Sequence, residues 1–476
     1  MGMVAGSMLA QNETDALRYS QLSFGGTARS ESMAGSFGAL GADFSTLSSN
    51  PAGIGVYRKG EISLTPGFMY QSTTSTYQGT SADDQRVAGT WNNAGLVFVG
   101  NLDREGNKNG WKFVQFGIGM NRLANYNSQV STSGVSGGSI MDKFRYDADG
   151  LTPANLDAFG SALAFNTYLL DTVRGSGGTS YFEALNNGDR VNHQQTVQSS
   201  GSYNEMDLTL GGNYNNKLFL GATFGIPYVN YNQNTSYMET AMPGNTSDFS
   251  QMSYTQSLST SGSGFNFKIG AIYKPVEFLR VGLAFHTKTW LSLHDSWNAS
   301  MTSNFTNGDA YQASSGPGDY DYNITTPGRI IASVAGILGQ SGVINVDYET
   351  VDYSQAHLSS KDAGAFDDAN AAAKANFTRA SIVRVGGEYR LKPLTLRLGF
   401  AWYQSPYANA GNDDARTSFT GGVGFRHKRF FLDLAYVLTL SNSKYYMYDA
   451  TFMPEGPATN ATSVSTYLAT VGFKFR

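Results

Sequence analysis

The 476-residue sequence has no cysteine, which removes disulfide frameworks, thiolate nucleophiles and cysteine-ligated metals together. Proline is scarce at 12 residues, and only 15% of residues are charged, against roughly 25% in an average soluble domain. No run approaches 18 consecutive apolar residues, so no segment reads as a transmembrane helix. Membrane barrels stay open, because their strands alternate and score weakly on hydropathy. A net charge of −4 offers no large basic field for nucleic acid. HExxH does not occur, and no Ser/His/Asp or paired-acid constellation stands out, so an enzyme is not expected. The histidines, His193, His286, His294, His357 and His427, are scattered. His286 and His294 share a face only if one strand runs that far. Heme would need an axial ligand of this kind, but lumen or loop hydrogen bonding is the simpler reading. No metal site and no cofactor are expected.

What the sequence has in quantity is glycine, at 55, with 28 Tyr, 29 Phe and 5 Trp. Aromatics suit strands and membrane interfaces, and glycine suits tight turns and barrel bends. Fourteen alternating segments can be written down: 61–70, 93–101, 112–121, 205–214, 217–229, 264–274, 278–288, 328–339, 342–353, 379–391, 394–404, 416–426, 430–440 and 464–475. In 278–288, Leu279, Val281, Leu283 and Phe285 oppose Arg280, Gly282, Ala284 and His286. In 394–404, Leu396, Leu398, Phe400 and Trp402 oppose Thr395, Arg397, Gly399 and Ala401. Side chains alternate faces along a strand, so each segment has one apolar and one polar face.

The connections decide which face looks outward. Links at 215–216, 275–277, 340–341, 392–393 and 427–429 are short, and 102–111 joins them by position. Links at 71–92, 122–204, 230–263, 289–327, 354–378, 405–415 and 441–463 are long and rich in Ser, Thr, Asn, Gly and Asp. Short periplasmic turns alternating with long external loops mark outer-membrane barrels. The expected fold is therefore all-β, a fourteen-stranded antiparallel transmembrane barrel in the bacterial outer membrane. Its polar face points inward and carries Arg280, Lys268, His286, Arg384, Arg390, Arg397 and Arg426 against Asp207, Asp347, Glu349, Glu388 and Asp433. Confined charges need partners. A structural ion-pair network and direct ligand contact are both open, the network being the simpler reading.

Residues 1–10 look like the tail of a secretory signal. Residues 11–58 are Gly- and Ser-rich and too few for an independent core; they form either a disordered periplasmic extension or a plug inside the barrel. Residues 59–476 hold the barrel. Within its largest loop, 139–174 reads as a helix started by Thr152 and Pro153, capping the mouth or bracing the loop.

Asn50-Pro51-Ala52-Gly53, placed after a Gly-rich run and before the first strand, resembles the N-terminal signature of the outer-membrane long-chain fatty-acid and aromatic-hydrocarbon transporter family. Three further stretches resemble members often labelled hemin receptors: YKPVEFLRVGLAFHTKTW (273–290), GVINVDYETVDYS (342–354) and RVGGEYRLKPLTLRLGFAWYQSPY (384–407). The resemblance covers nearly the whole chain. It implies a monomeric barrel closed by an N-terminal hatch, here 11–58, with Asn50, Pro51 and Ala52 as its turn. It also implies that external loops capture a hydrophobic ligand, which leaves sideways through a kinked third strand. That strand is 111–127 here, where Gly117 and Gly119 are the candidate bend, although glycine also simply suits barrel curvature. Expected partners are a hydrophobic small molecule, outer-membrane lipid and the barrel-assembly machinery. A surface adhesin and a heme-related uptake protein are the alternatives. Pro66, inside the first segment, removes a ladder donor, so pairing near the closure seam is expected to be imperfect.

Overall fold

In the computed structural model the described residues are 11–102, 110–173, 175, 177–339, 341–409 and 414–475. The signal-like segment 1–10 and most of the 102–111 turn lie outside them. Fourteen antiparallel strands form one closed wall. They are β1 (Gly60–Tyr77), β2 (Thr80–Asn101), β3 (Trp111–Asn125, continued by Ser128–Ser136), β4 (Val191–Tyr214), β5 (Leu218–Ala241) and β6 (Phe249–Val276). Then follow β7 (Leu279–His286, continued by Thr289–Phe305), β8 (Gly318–Thr326, continued by Arg329–Leu338) and β9 (Gly342–Asp352, continued by His357–Ser359). The wall ends with β10 (Arg379–Leu391), β11 (Leu394–Tyr403), β12 (Arg416–His427), β13 (Phe430–Tyr445) and β14 (Ala458–Phe475). Each strand pairs with its neighbour in sequence, and β1 pairs β14 from Gly60↔Phe475 to Thr76↔Thr459. Closure leaves no free edge.

The alternation sorts as expected. Leu396, Leu398 and Phe400 are exposed at 45%, 74% and 38%, while Arg397 on the opposite face is 2% exposed. Val281, Leu283 and Phe285 are likewise exposed, with Ala284 and His286 buried. An exterior made of leucine, phenylalanine and valine is tolerated only by lipid. Exposed aromatics flank this band: Trp111, Tyr214, Tyr273 and Tyr389 toward the short turns, and Trp91, Tyr228, Trp290, Tyr348 and Trp402 toward the long connections. Rings with an apolar body and a polar tip favour the two bilayer interfaces.

The long connections are not mainly loop. β4 and β5 run 24 residues each and β6 runs 28, whereas roughly 9–11 residues cross a bilayer. The 71–92 connection is a hairpin whose Gln78 and Gly79 take positive φ, 49° and 75°, the backbone a two-residue turn requires. These extensions have no lipid to face, so they carry no apolar stripe.

At their outer end a helical head closes the barrel. Its helix is α4 (Ile140–Ala148), earlier than expected, because Ser139 and Asp142 form the capping box. Pro153–Asn155 is a single exposed 3-10 turn, and α5 (Ser161–Asn166) follows. Ile140, Met141, Phe144 and Leu163 pack against Tyr77, Met252 and Met301 from the wall extensions and Met453 from the β13–β14 connection. Glu239 anchors the helix start, accepting from Ser139 Oγ at 2.6 Å and the Ile140 amide at 2.8 Å.

Candidate functional site

Residues 11–58 lie inside the barrel as α1 (Glu13–Ser20), α2 (Ala28–Glu31), α3 (Thr46–Ser49) and a 3-10 turn over Pro51–Val56. Phe44, Leu47, Ile54 and Tyr57 bury against Val97; Met33, Phe37 and Leu40 against Ala335; Ala52 against Phe219 and Ile272. Full burial of such a side chain contributes about 1.5–3 kcal/mol. The approach is close because the wall has glycine where the segment touches it. A Cβ on Gly221 would meet the Pro51 carbonyl oxygen at 2.2 Å, and one on Gly282 the Gly38 carbonyl oxygen at 2.4 Å.

Asn50, Pro51 and Ala52 sit in this seat. The Asn50 side chain accepts from the Ala52 amide at 3.1 Å and donates to the Gly38 carbonyl at 2.6 Å, tying two turns of the segment together. It also reaches the Ala271 carbonyl on β6 at 3.4 Å. Pro51, first residue of the 3-10 turn, sets its direction.

The inward charges divide into pairs and anchors. Glu349 accepts from Arg384 at 2.7 Å and from Arg329 at 2.6 Å. Glu388 accepts from Arg397 at 2.8 Å, Arg390 at 2.9 Å and Arg29 of the N-terminal segment at 3.1 Å. Arg397 also reaches Asp433 at 2.8 Å, which Arg426 contacts at the same distance. Asp347 accepts from the Phe37 and Gly38 amides at 3.1 and 3.2 Å. His286 Nε2 lies 2.6 Å from the Ser49 carbonyl, and Lys268 pairs with Glu205. Arg280 donates to the Leu40 carbonyl at 2.7 Å. Thus the segment is held by charge as well as by apolar burial. His294 lies elsewhere, exposed and 2.8 Å from Asp321, so the two histidines do not converge. Among the described residues no cluster of three or more histidines and carboxylates could hold a metal ion.

The ladder keeps its register through Gly117 and Gly119, the candidate bend. Their role is contact: a Cβ on Gly117 would meet Leu47 at 2.7 Å, and one on Gly119 would meet Phe44 at 2.5 Å and the Ala94 carbonyl at 2.2 Å. The irregularity lies higher. β2 and β3 stay paired only up to Asn93↔Asn121. Against β4, the β3 register shifts between Arg122 and Ala124, leaving Leu123 as the extra residue, a β-bulge. Tyr126 and Asn127 then leave the strand. Above them β3 pairs with β4, and the upper part of β2 pairs with β1. Across the gap Gln129 donates to Asp84 on β2 at 3.0 Å, and Thr132 lies 2.8 Å from Ser75 on β1.

The interruption is a break in the backbone ladder. Behind it lies a cavity of about 360 Å³ lined by Arg18, Phe24, Met69, Asn92, Arg122 and Tyr126, among others. The cavity shares Ser23, Phe24 and Gly25 with a smaller lumen cavity that reaches Lys268, His286 and Arg329. From inside, the N-terminal segment covers the bulge: the Ser23 amide donates to the Leu123 carbonyl at 2.8 Å. Glu31 accepts from Asn92 at 2.8 Å beside it. Beside the closure seam, β1 shows a register shift against β2 between Thr65 and Pro66, and both residues are skipped in the pairing with β14.

Sequence reasoning missed Arg29, Glu205, Arg329 and the Leu123 bulge. Glu205 and Arg329 had a signal, since each shares the inward parity of a residue already singled out: Glu205 stands two before Asp207, and Arg329 pairs across from His286. Arg29 lies in a segment without periodicity.

A family model described as "Outer membrane protein transport protein (OMPP1/FadL/TodX)" matches residues 187–476. No curated protein matches the sequence. Among solved structures, the toluene transporter TodX of P. putida is 14% identical, with 95% of this chain and 99% of that chain covered at a TM-score of 0.55. A Pseudomonas aeruginosa FadL homologue gives 14% identity, the same two coverages and a TM-score of 0.56. The toluene transporter TbuX of Ralstonia pickettii is 16% identical, again at 95% and 99% coverage, with a TM-score of 0.51. At these identities the structural likeness speaks to the fold.

Proposed function

This chain belongs to the outer membrane protein transport family (OMPP1/FadL/TodX), a bacterial outer-membrane β-barrel for hydrophobic compounds, and from that premise we propose a specific route. A long-chain fatty acid or aromatic hydrocarbon is captured at the external head, enters the cavity behind the β2–β3 window, and leaves sideways into the bilayer. The protein works as a monomer, inserted by the barrel-assembly machinery, and performs no chemistry on its cargo.

The observation that carries this reading is the interrupted β2–β3 ladder opening onto a cavity, beside a lumen filled by residues 11–58. With the axis blocked, the interrupted wall is the shorter exit. The N-terminal segment serves as the hatch: its strap at Ser23–Gly25 covers the bulge, so a small shift of the strap widens the window. Partition from water into lipid then drives transport, at roughly 25 cal/mol per Å² of apolar surface buried. Arg18, Arg122 and Arg416 on the cavity wall suit a cargo with a carboxylate end, because guanidinium matches carboxylate in geometry and charge.

Uptake tests the reading. Cells carrying the protein should accumulate labelled fatty acid or toluene faster than a deletion strain. Equal accumulation across a broad hydrophobic panel would refute it.

A further inference from the structure

The short-turn end of the lumen collects positive charge beneath the N-terminal segment. A cavity of about 180 Å³ opens there, with Leu40, Ile337 and Val343 on its apolar side and Arg29, Arg280 and Arg390 on the other. Arg29 and Arg390 are both answered by Glu388. Arg280 is not. Its Nη1 donates to the Leu40 carbonyl, but its buried Nε has no partner. Two further arginines, Arg58 and Arg390, act on it with like charge. The carboxylate whose charge reaches it belongs to Glu277, an exposed residue already engaged by Lys274 at 2.5 Å. A wider cavity of about 700 Å³ shares Arg29 and Arg390 and extends the basic surface to Lys392 and Lys474.

We propose that this cavity is an anion site, taking the carboxylate or phosphate group of a small amphiphile from the periplasmic side. A half-buried guanidinium whose contributing carboxylate, Glu277, is already engaged by Lys274 is costly, and a bound anion lowers that cost. The planar fork of arginine fits two oxygens of a carboxylate or phosphate. Arg280 and Arg390 hold the charged group, and Leu40, Ile337 and Val343 receive the apolar part. The same chemistry can arrive as a soluble carboxylate or as a phospholipid headgroup of the inner leaflet. The site stands independently of the wall window, since it lies below the plug and uses none of the window residues.

The test is calorimetry on the full-length protein in detergent, with octanoate, octanol, inorganic phosphate and phosphatidylglycerol nanodiscs as probes. Octanoate should bind more tightly than octanol. Arg280→Gln should weaken octanoate by roughly tenfold or more, a shift of one decade in Kd, while octanol is unchanged. Arg280→Lys should retain part of the affinity, because charge survives without the fork. Displacement of octanoate by nanodiscs assigns the lipid headgroup, and displacement by inorganic phosphate assigns a soluble anion; either supports the site. Gel mobility without heating checks that each variant remains a folded barrel. Octanoate binding no tighter than octanol, or equally tight in a folded Arg280→Gln barrel, overturns the proposal.

Discussion

Two seams of the same wall contrast sharply. Where the chain closes on itself, β1 and β14 pair along almost their whole length, although Pro66 and Thr65 are skipped. Where β2 meets β3, strands adjacent in sequence, backbone pairing stops at Asn93↔Asn121. Joining distant parts of the chain is therefore not what weakens a barrel wall. A missing donor at Pro66 leaves a local flaw that neighbouring pairs span, whereas one inserted residue, Leu123, shifts the register and redirects the strand. The contrast extends inward: the hatch is tied to β9, β10 and β12 by Asp347, by the Arg29–Glu388 ion pair and by Thr420, whereas it meets the bulge through Ser23, whose amide and hydroxyl both reach the Leu123 carbonyl.

The largest expected effect comes from erasing that difference. Deleting Leu123 gives β3 one continuous register with β4 and should close the window. Uptake should fall to the level of the deletion strain while the barrel still inserts and resists heating on gels. Next comes the pinned side. Arg397→Leu leaves Glu388 and Asp433 buried with one counter-charge fewer, a change that costs about 3–5 kcal/mol in comparable pairs. A marked drop in the unfolding temperature is expected, with little change in ligand preference.

A smaller effect should follow from crowding the glycine seat. Gly282→Val pushes a side chain against the Gly38 carbonyl, and overpacking of this kind costs about 1–3 kcal/mol. The hatch should loosen, read as higher single-channel conductance to small polar solutes; unchanged conductance would mean that the seat does not hold the plug.

The smallest effect belongs to the external rim, remote from both seams. Burial alone would raise the Asp189 carboxyl, but hydrogen bonds from the Thr246, Ser247 and Asn186 amides hold it at about 2. Its folded-state value lies below the ordinary 3.8, so its contribution is present above that value and fades as pH falls toward 2. Amide protection at Thr246 and Ser247, corrected for intrinsic exchange, should decline over that window and be flat in Asp189→Asn. Uptake at neutral pH should not respond.

The wall was legible in the sequence because lipid enforces an alternating stripe, as in Leu396, Leu398 and Phe400. Three things were not. The strand extensions beyond the bilayer have no apolar face to betray them, so 71–92 read as loop. Glycines facing the plug look like any barrel glycine, so the contact of Gly117 and Gly119 with Leu47 and Phe44 could not be read locally. The bulge at Leu123 depends on Ser23, a hundred residues away in sequence, and no local pattern announces such a dependence. The inward charges were legible as a set, but which of them touch the plug was not.

The most direct measurement is photolabelling with a neutral azide-bearing alkylbenzene, followed by mapping of the modified residues. The wall-exit account predicts label on Met69, Asn92 and Tyr126 beside the β2–β3 interruption, well in excess of any at Ile337 and Val343. Label concentrated at Ile337 and Val343, with the residues beside the interruption untouched, would contradict it.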